Sequence, residues 1–205
     1  MREQIEKEKK DSVKKAIIQV AKRIVKKEGF DGLSIRKIAN KVGYSPGNIY
    51  QYFKNKDHII EEMISDTYLS LLEILKKDYK NFDNVSDEIT YKYRKYIDFA
   101  LDNSVYFKII MMNENEDILK KTSVLQKGSS IKQPALFFLR KYIEKGVKKK
   151  EFCVENIELT TQSLWVSVYG LIMRLIVEKN VDINNRDKLI DYHLNLIINS
   201  IKGCE

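Results

Sequence analysis

Glycine and proline are so scarce and so unevenly placed in this chain that they limit its architecture before any other feature is read. Eight glycines and two prolines serve 205 residues. Four of the glycines (Gly29, Gly32, Gly43, Gly47) and one proline (Pro46) fall between positions 29 and 47. Hairpins and loops draw heavily on these two residue types, so an all-β fold is not expected. Short elements joined by tight turns are expected in that one early segment, and long helices elsewhere.

Apolar periodicity agrees. Val13, Ile17, Val20 and Ile24 recur at helical spacing with Ala16 and Ala21 beside them, which predicts an amphipathic helix. Lys26 and Lys27 suit its C-terminal end, and Gly29 can terminate it in the left-handed conformation. Ser34 is placed to cap a second helix with inner face Ile35, Ile38, Ala39 and Val42, ended by Gly43 after two turns. Ser45 then caps a third, with Pro46 at its first position, where a missing N–H costs nothing. Ile49 and Phe53 point this helix inward, and Asn55 starts a fourth.

Charge divides the chain in the same way. Residues 1–57 hold 15 basic and seven acidic side chains, while the other 148 hold 22 of each. The whole formal charge of +8 therefore sits in the first quarter, which implies a polyanion-binding module joined to a neutral body. Enzyme chemistry has little to draw on. The two histidines, His58 and His193, and the two cysteines, Cys153 and Cys204, stand at no metal-ligand or nucleophile spacing, so neither metal nor cofactor is expected. No apolar run reaches the ~18 residues of a membrane span. The first ten residues lack the apolar core of a secretory signal, so a cytoplasmic protein is expected.

Two short helices joined by a glycine turn, the first bracing the second, read as a helix-turn-helix. Such a unit is small because its second helix must enter a major groove about 12 Å wide. The outward residues are Tyr44, Ser45, Pro46, Gly47, Asn48, Tyr50, Gln51 and Tyr52. Hydroxyls, amides and small residues suit base edges and phosphates, whereas an ordinary surface would carry Lys and Glu.

The run Gly29-Phe30, Leu33 to Ala39, Val42 to Gly47 and Ile49 to Lys56 resembles the DNA-binding domain of the TetR (tetracycline-repressor-like) family. Gln51-Tyr52 departs mildly from the Tyr-His pair frequent there. The resemblance covers residues 13 to about 62. It implies a three-helix DNA-binding domain over 1–57, then a larger helical effector-binding and dimerisation domain over 58–205, about nine helices in all. It implies that Arg36 reaches a guanine or phosphate, that Tyr50, Tyr52 and Lys56 contact phosphates, and that Ser34 adds a phosphate contact to its cap. The implied function is a homodimeric bacterial transcription regulator, usually a repressor, that leaves a palindromic operator when a small molecule binds. The alternative is a DNA-binding protein of the same fold without an effector, acting in chromosome organisation or through partner proteins.

Past residue 60 the pattern stays helical. Ile60, Met63, Ile64, Thr67 and Leu71 continue the fourth helix, and Ser86-Asp87-Glu88 signals a helix start. Asn113 to Asp117 and Gly128-Ser129-Ser130 read as loops. Further helices are expected over 135–147, 156–178 and 185–201. The candidate effector residues are Phe99, Tyr106, Met112, Phe138, Trp165 and Tyr169. The resemblance points to the last two helices as the dimer bundle, with Leu171, Leu175, Leu194 and Ile198 as its candidate contacts. Gly170 costs ~1 kcal/mol relative to Ala inside a helix, which implies core packing, a pocket or a close helix approach.

Overall fold

The computed structural model describes residues 1–77, 81–112, 116–178 and 181–203. Among them the chain forms eleven helices and one isolated antiparallel bridge, Phe152 to Lys202. The count passes nine because two brief helices, α7 (Glu116–Thr122) and α8 (Ser129–Lys132), form where loops were expected. Asn113, Glu114, Asn115 and Cys204 lie outside the described residues.

Two compact units divide the chain at Leu69/Ser70, within α4 (Lys56–Lys76) and twelve residues beyond the boundary at 57 suggested by charge. Charge marks where the basic surface stops, but apolar burial continues along α4. Ile59, Met63 and Ile64 are buried, and Asp66 pairs with Lys22 of α1 (Arg2–Glu28) at 2.6 Å.

In the first unit α1 begins at Arg2, well ahead of its apolar face, and residues 3–12 are all exposed. Ile17, Ala21, Ile24 and Val25 of α1 are buried, as are Ile38 and Ala39 of α2 (Ile35–Val42) and Ile49 of α3 (Pro46–Tyr50). Gly29 takes a positive φ of 72° but an extended ψ of 179°, so it leaves the helix without the left-handed cap expected of it.

The second unit packs α5 (Val85–Asp102), α6 (Ser104–Met111), α9 (Pro134–Lys148), α10 (Ile157–Val177) and α11 (Ile183–Asn199) around one core. The start of α5 lies earlier than read: Asn84 accepts from the Asp87 amide at 2.8 Å, and Ser86 is buried in the first turn. The Glu151 carboxylate also accepts from the Val85 amide at 2.6 Å from 66 residues away. Glu158 does similar work at α8. It accepts from the amides of Gly128 (3.0 Å) and Ser130 and from the Ser130 hydroxyl, satisfying the free N–H groups of a one-turn helix. Gly146 is required by packing, because a Cβ there would meet the Phe152 ring at 2.0 Å.

Candidate nucleic-acid interface

The helix-turn-helix is built by local bonds in the order the sequence suggests. The Ser34 hydroxyl accepts from the Lys37 amide at 3.3 Å and opens α2. Gly43 closes that helix in the left-handed conformation (φ 74°, ψ 28°), where a side chain would strain the backbone. Ser45 then accepts from the Asn48 amide at 3.2 Å, with Pro46 at the first position of α3. Ile49 and Phe53, both sealed in the core, anchor α3 from beneath.

That anchoring turns Tyr44, Ser45, Pro46, Gly47, Asn48, Tyr50 and Gln51 to the surface, while Tyr52 is half-buried. A Cβ on Gly47 would meet only the Ser45 Oγ, at 3.7 Å. Nothing within the chain therefore demands glycine at this exposed position.

The basic residues differ in what holds them. Arg36 is exposed on α2. Its neighbour Lys37 is engaged by Glu28 at 2.6 Å, and the bond to Lys37 holds the Glu28 carboxyl below its ordinary value. The Lys56 ammonium donates to the Phe30 carbonyl oxygen at 3.1 Å, bridging the first turn of α4 to the turn after α1. Lys14 lies 5.9 Å from the centre of the Phe53 ring. His58 is a structural residue, as its Nδ1 accepts from the Lys54 amide at 3.2 Å and its ring packs edge-on against Phe53.

In the second unit the candidate pocket residues separate. Phe138 and Trp165 line one small cavity, together with Lys92, Tyr93, Tyr96 and Tyr142, which the sequence reading missed. Tyr96 stacks on Trp165 with ring centres 4.8 Å apart, and Phe107 and Tyr169 continue the aromatic row. Phe99, Tyr106 and Tyr169 are not in the cavity wall, and Met112 is an exposed residue just past α6. The missed residues carried a signal. Ile89, Tyr93 and Tyr96 recur at helical spacing along one face of α5.

The candidate dimer residues divide as well. Leu171 and Leu175 are half-buried. Leu194 and Ile198, at 0% and 2% exposure, belong to the core of the chain itself and cannot meet a second copy. The outward side of α11 carries Leu189, Tyr192 and Leu196 instead, and that of α10 carries Val166 and Gly170. Ser167 Oγ lies 3.1 Å from His193 Nε2, which brings these two faces side by side. Among the described residues no group of three or more His, Cys, Asp or Glu could hold a metal, and no helix is long and apolar enough to cross a membrane.

Two serine helix caps, Ser34 and Ser45, a left-handed glycine and a short anchored second helix together define a helix-turn-helix. Residues 17–63 match the model of the tetR family of bacterial regulatory proteins. An uncharacterized HTH-type transcriptional regulator of Haemophilus influenzae is 31% identical over 70 residues, 34% of this chain and 37% of that one. The fatty acid metabolism regulator protein of Bacillus subtilis is 24% identical over 127 residues, 62% of this chain and 60% of that one. The chain thus spans between about a third and three-fifths of the length of these two relatives. A similar fold is found in RolR in complex with resorcinol, at a TM-score of 0.61 and 16% identity, covering 96% of this chain and 90% of that one.

Proposed function

We propose that this protein is a homodimeric, DNA-binding transcription repressor that acts in the cytoplasm and releases a palindromic operator when a small molecule enters its second unit. The observation that carries the DNA-binding part is the anchored α3. A five-residue helix sealed from below by Ile49 and Phe53 leaves Asn48 and Tyr50, with the flanking Tyr44 and Gln51, exposed for a partner to contact. Ser34, Arg36, Ser45, Pro46, Gly47, Tyr52 and Lys56 complete the contact set. Open space at Gly47 fits a backbone brought close to DNA. The basic surplus of residues 1–57 supplies phosphate affinity regardless of sequence.

One such module reads only a few base pairs, so two are needed, and two-fold symmetry makes the operator a palindrome. The proposed contact is the outward face of α10 and α11, with Val166, Gly170, Leu189, Tyr192 and Leu196, flanked by Leu171 and Leu175. Support for an effector comes from the apolar cavity and from the ligand that a protein of the same fold holds.

Selection of bound duplexes from a random pool tests the reading. It should return a dyad-symmetric sequence whose binding weakens steeply between low and physiological salt. Arg36→Ala should relax the choice of base at one position per half-site by ~1–3 kcal/mol. Binding that ignores salt, or a pool without dyad symmetry, would refute it.

A further inference from the structure

The cavity of the second unit measures about 20 Å³, room for about one water molecule. Its walls are aliphatic and aromatic, and its polar groups are Lys92, Tyr93 and Tyr96 of α5, Tyr142 of α9 and the Trp165 indole of α10. Two residues of α5 make it more than a packing gap. The Tyr93 side chain is buried to 3% exposure, and among the described residues its hydroxyl has no hydrogen-bond partner. Burial, with Tyr96 nearby, pushes its ionisation well above the ordinary phenol value, so it remains an O–H donor. Beside it Lys92, 5% exposed, donates to the carbonyl oxygens of Leu75 (3.1 Å) and Lys77 at the C-terminal end of α4. Its ammonium also lies 5.7 Å from the centre of the Tyr142 ring.

We propose that this cavity receives a small apolar carboxylic acid, whose carboxylate accepts from the Tyr93 hydroxyl and draws the Lys92 ammonium away from the terminal carbonyls of α4. The proposal rests on the ligand-responsive reading and names the ligand class and the contact that transmits it. A phenol held in its protonated form and an ammonium both offer hydrogens, so the ligand must accept. An anion accepts from them more strongly than a neutral carbonyl does. The apolar body of the acid belongs against Phe138, Tyr142 and Trp165.

The small volume gives the coupling. Nothing larger than a water enters without parting the walls, and Lys92 is one of those walls. The same ammonium offsets the negative end of the α4 dipole. Ligand and helix end therefore compete for one cation. A carboxylate that takes it leaves Leu75 and Lys77 with weaker partners and biases the last turn of α4 toward another arrangement. By linkage, any state that holds Lys92 on α4 binds the acid less well.

The only tryptophan of the chain, Trp165, lines the cavity and reports its occupancy. The full-length protein, without DNA, is titrated with benzoate and hexanoate and with the matching amides, benzamide and hexanamide, at constant ionic strength. Both acids should change Trp165 emission saturably, and both amides should bind at least ten-fold more weakly. Tyr93→Phe removes only an unpartnered hydroxyl, so it should keep the fold and weaken acid binding several-fold. Lys92→Met should erase the preference for acid over amide, and Lys92→Arg should retain it. Equal binding of acid and amide, no emission change with either acid, or unaltered binding by Tyr93→Phe would each overturn the proposal. Because no DNA is present, such a failure leaves the DNA-binding reading intact. A protein that binds the acids but no duplex would instead refute that reading alone.

Discussion

Lys56, the first residue of α4, donates its ammonium to the carbonyl oxygen of Phe30 across 3.1 Å and so joins the two turns that flank the helix-turn-helix. An ammonium has three donors, and a phosphate oxygen at the N-terminus of α4 would be served by the same group and by the helix dipole. One residue thus ties the first turn of α4 to the turn after α1.

Lys56→Ala should therefore show two effects at once. Losing a charged donor to Phe30 should lower stability by ~1–2 kcal/mol. Losing one phosphate contact should reduce the slope of log affinity against log salt by about one unit per subunit, with no change in the preferred sequence. Chemical denaturation and salt-dependent DNA titration measure the two separately. A lower melting temperature with an unchanged salt slope would assign Lys56 to the fold alone.

Two glycines within helices should respond in opposite directions to alanine. Gly146→Ala drives a methyl into the Phe152 ring and should cost ~1–3 kcal/mol, as overpacking does. Gly170 meets nothing within 4 Å, so Gly170→Ala should gain up to ~1 kcal/mol of helix propensity in a single chain. If α10 approaches a second copy closely at Gly170, the same change should weaken self-association. Thermal melts over a range of concentrations separate these contributions.

Neighbouring positions on α11 distinguish core from interface. Leu194→Ala should lose ~2–5 kcal/mol, because it empties a fully buried site. Leu196→Glu, at a side chain 57% exposed, should leave the secondary structure intact and shift the assembly toward a single chain of 24.1 kDa. Light scattering with circular dichroism reads both. A wild-type mass of 24.1 kDa at micromolar concentration would rule out the dimer.

Acid should loosen the contact between α8 and α10. The Ser130 hydroxyl, helped by the Ser130 and Gly128 amides and by Arg140, holds the Glu158 carboxyl below its ordinary value of 4.5. A carboxyl that ionises more readily when folded adds stability above its unfolded value, and that stability is lost as pH falls through the folded one. Wild-type stability should thus decline as pH drops below about 4.5, and the decline should be shallower in Glu158→Gln. Parallel pH profiles for the two proteins would deny Glu158 this role.

The readings that held were those made by bonds within three or four residues. Ser34 to Lys37, Ser45 to Asn48 and Asn156 to Leu159 are cap bonds at i, i+3, and Gly43 needs only its own φ. Residue type and spacing suffice for these, so the helix-turn-helix and its exposed face were visible in the bare sequence. The start of α5 lies two residues before Ser86. There Asn84 caps the Asp87 amide, and the Glu151 carboxylate, from the loop between α9 and α10, accepts from the Val85 amide. Ser86, which offers the same cap chemistry, is buried instead.

By itself the sequence determined that the chain is helical, where its helix-turn-helix lies, and that charge gathers in its first quarter. Only the tertiary structure decided which face of each later helix is inside. On α11 both Leu194 and Leu196 are apolar, and burial of the first and exposure of the second follow from packing against α5 and α10. Likewise nothing near Lys92 in sequence marks it as the lysine that enters a cavity and holds the end of α4, 15 to 17 residues earlier. Local hydrogen bonds are encoded where they form, but the side on which an apolar helix meets its neighbours is settled jointly by all of them.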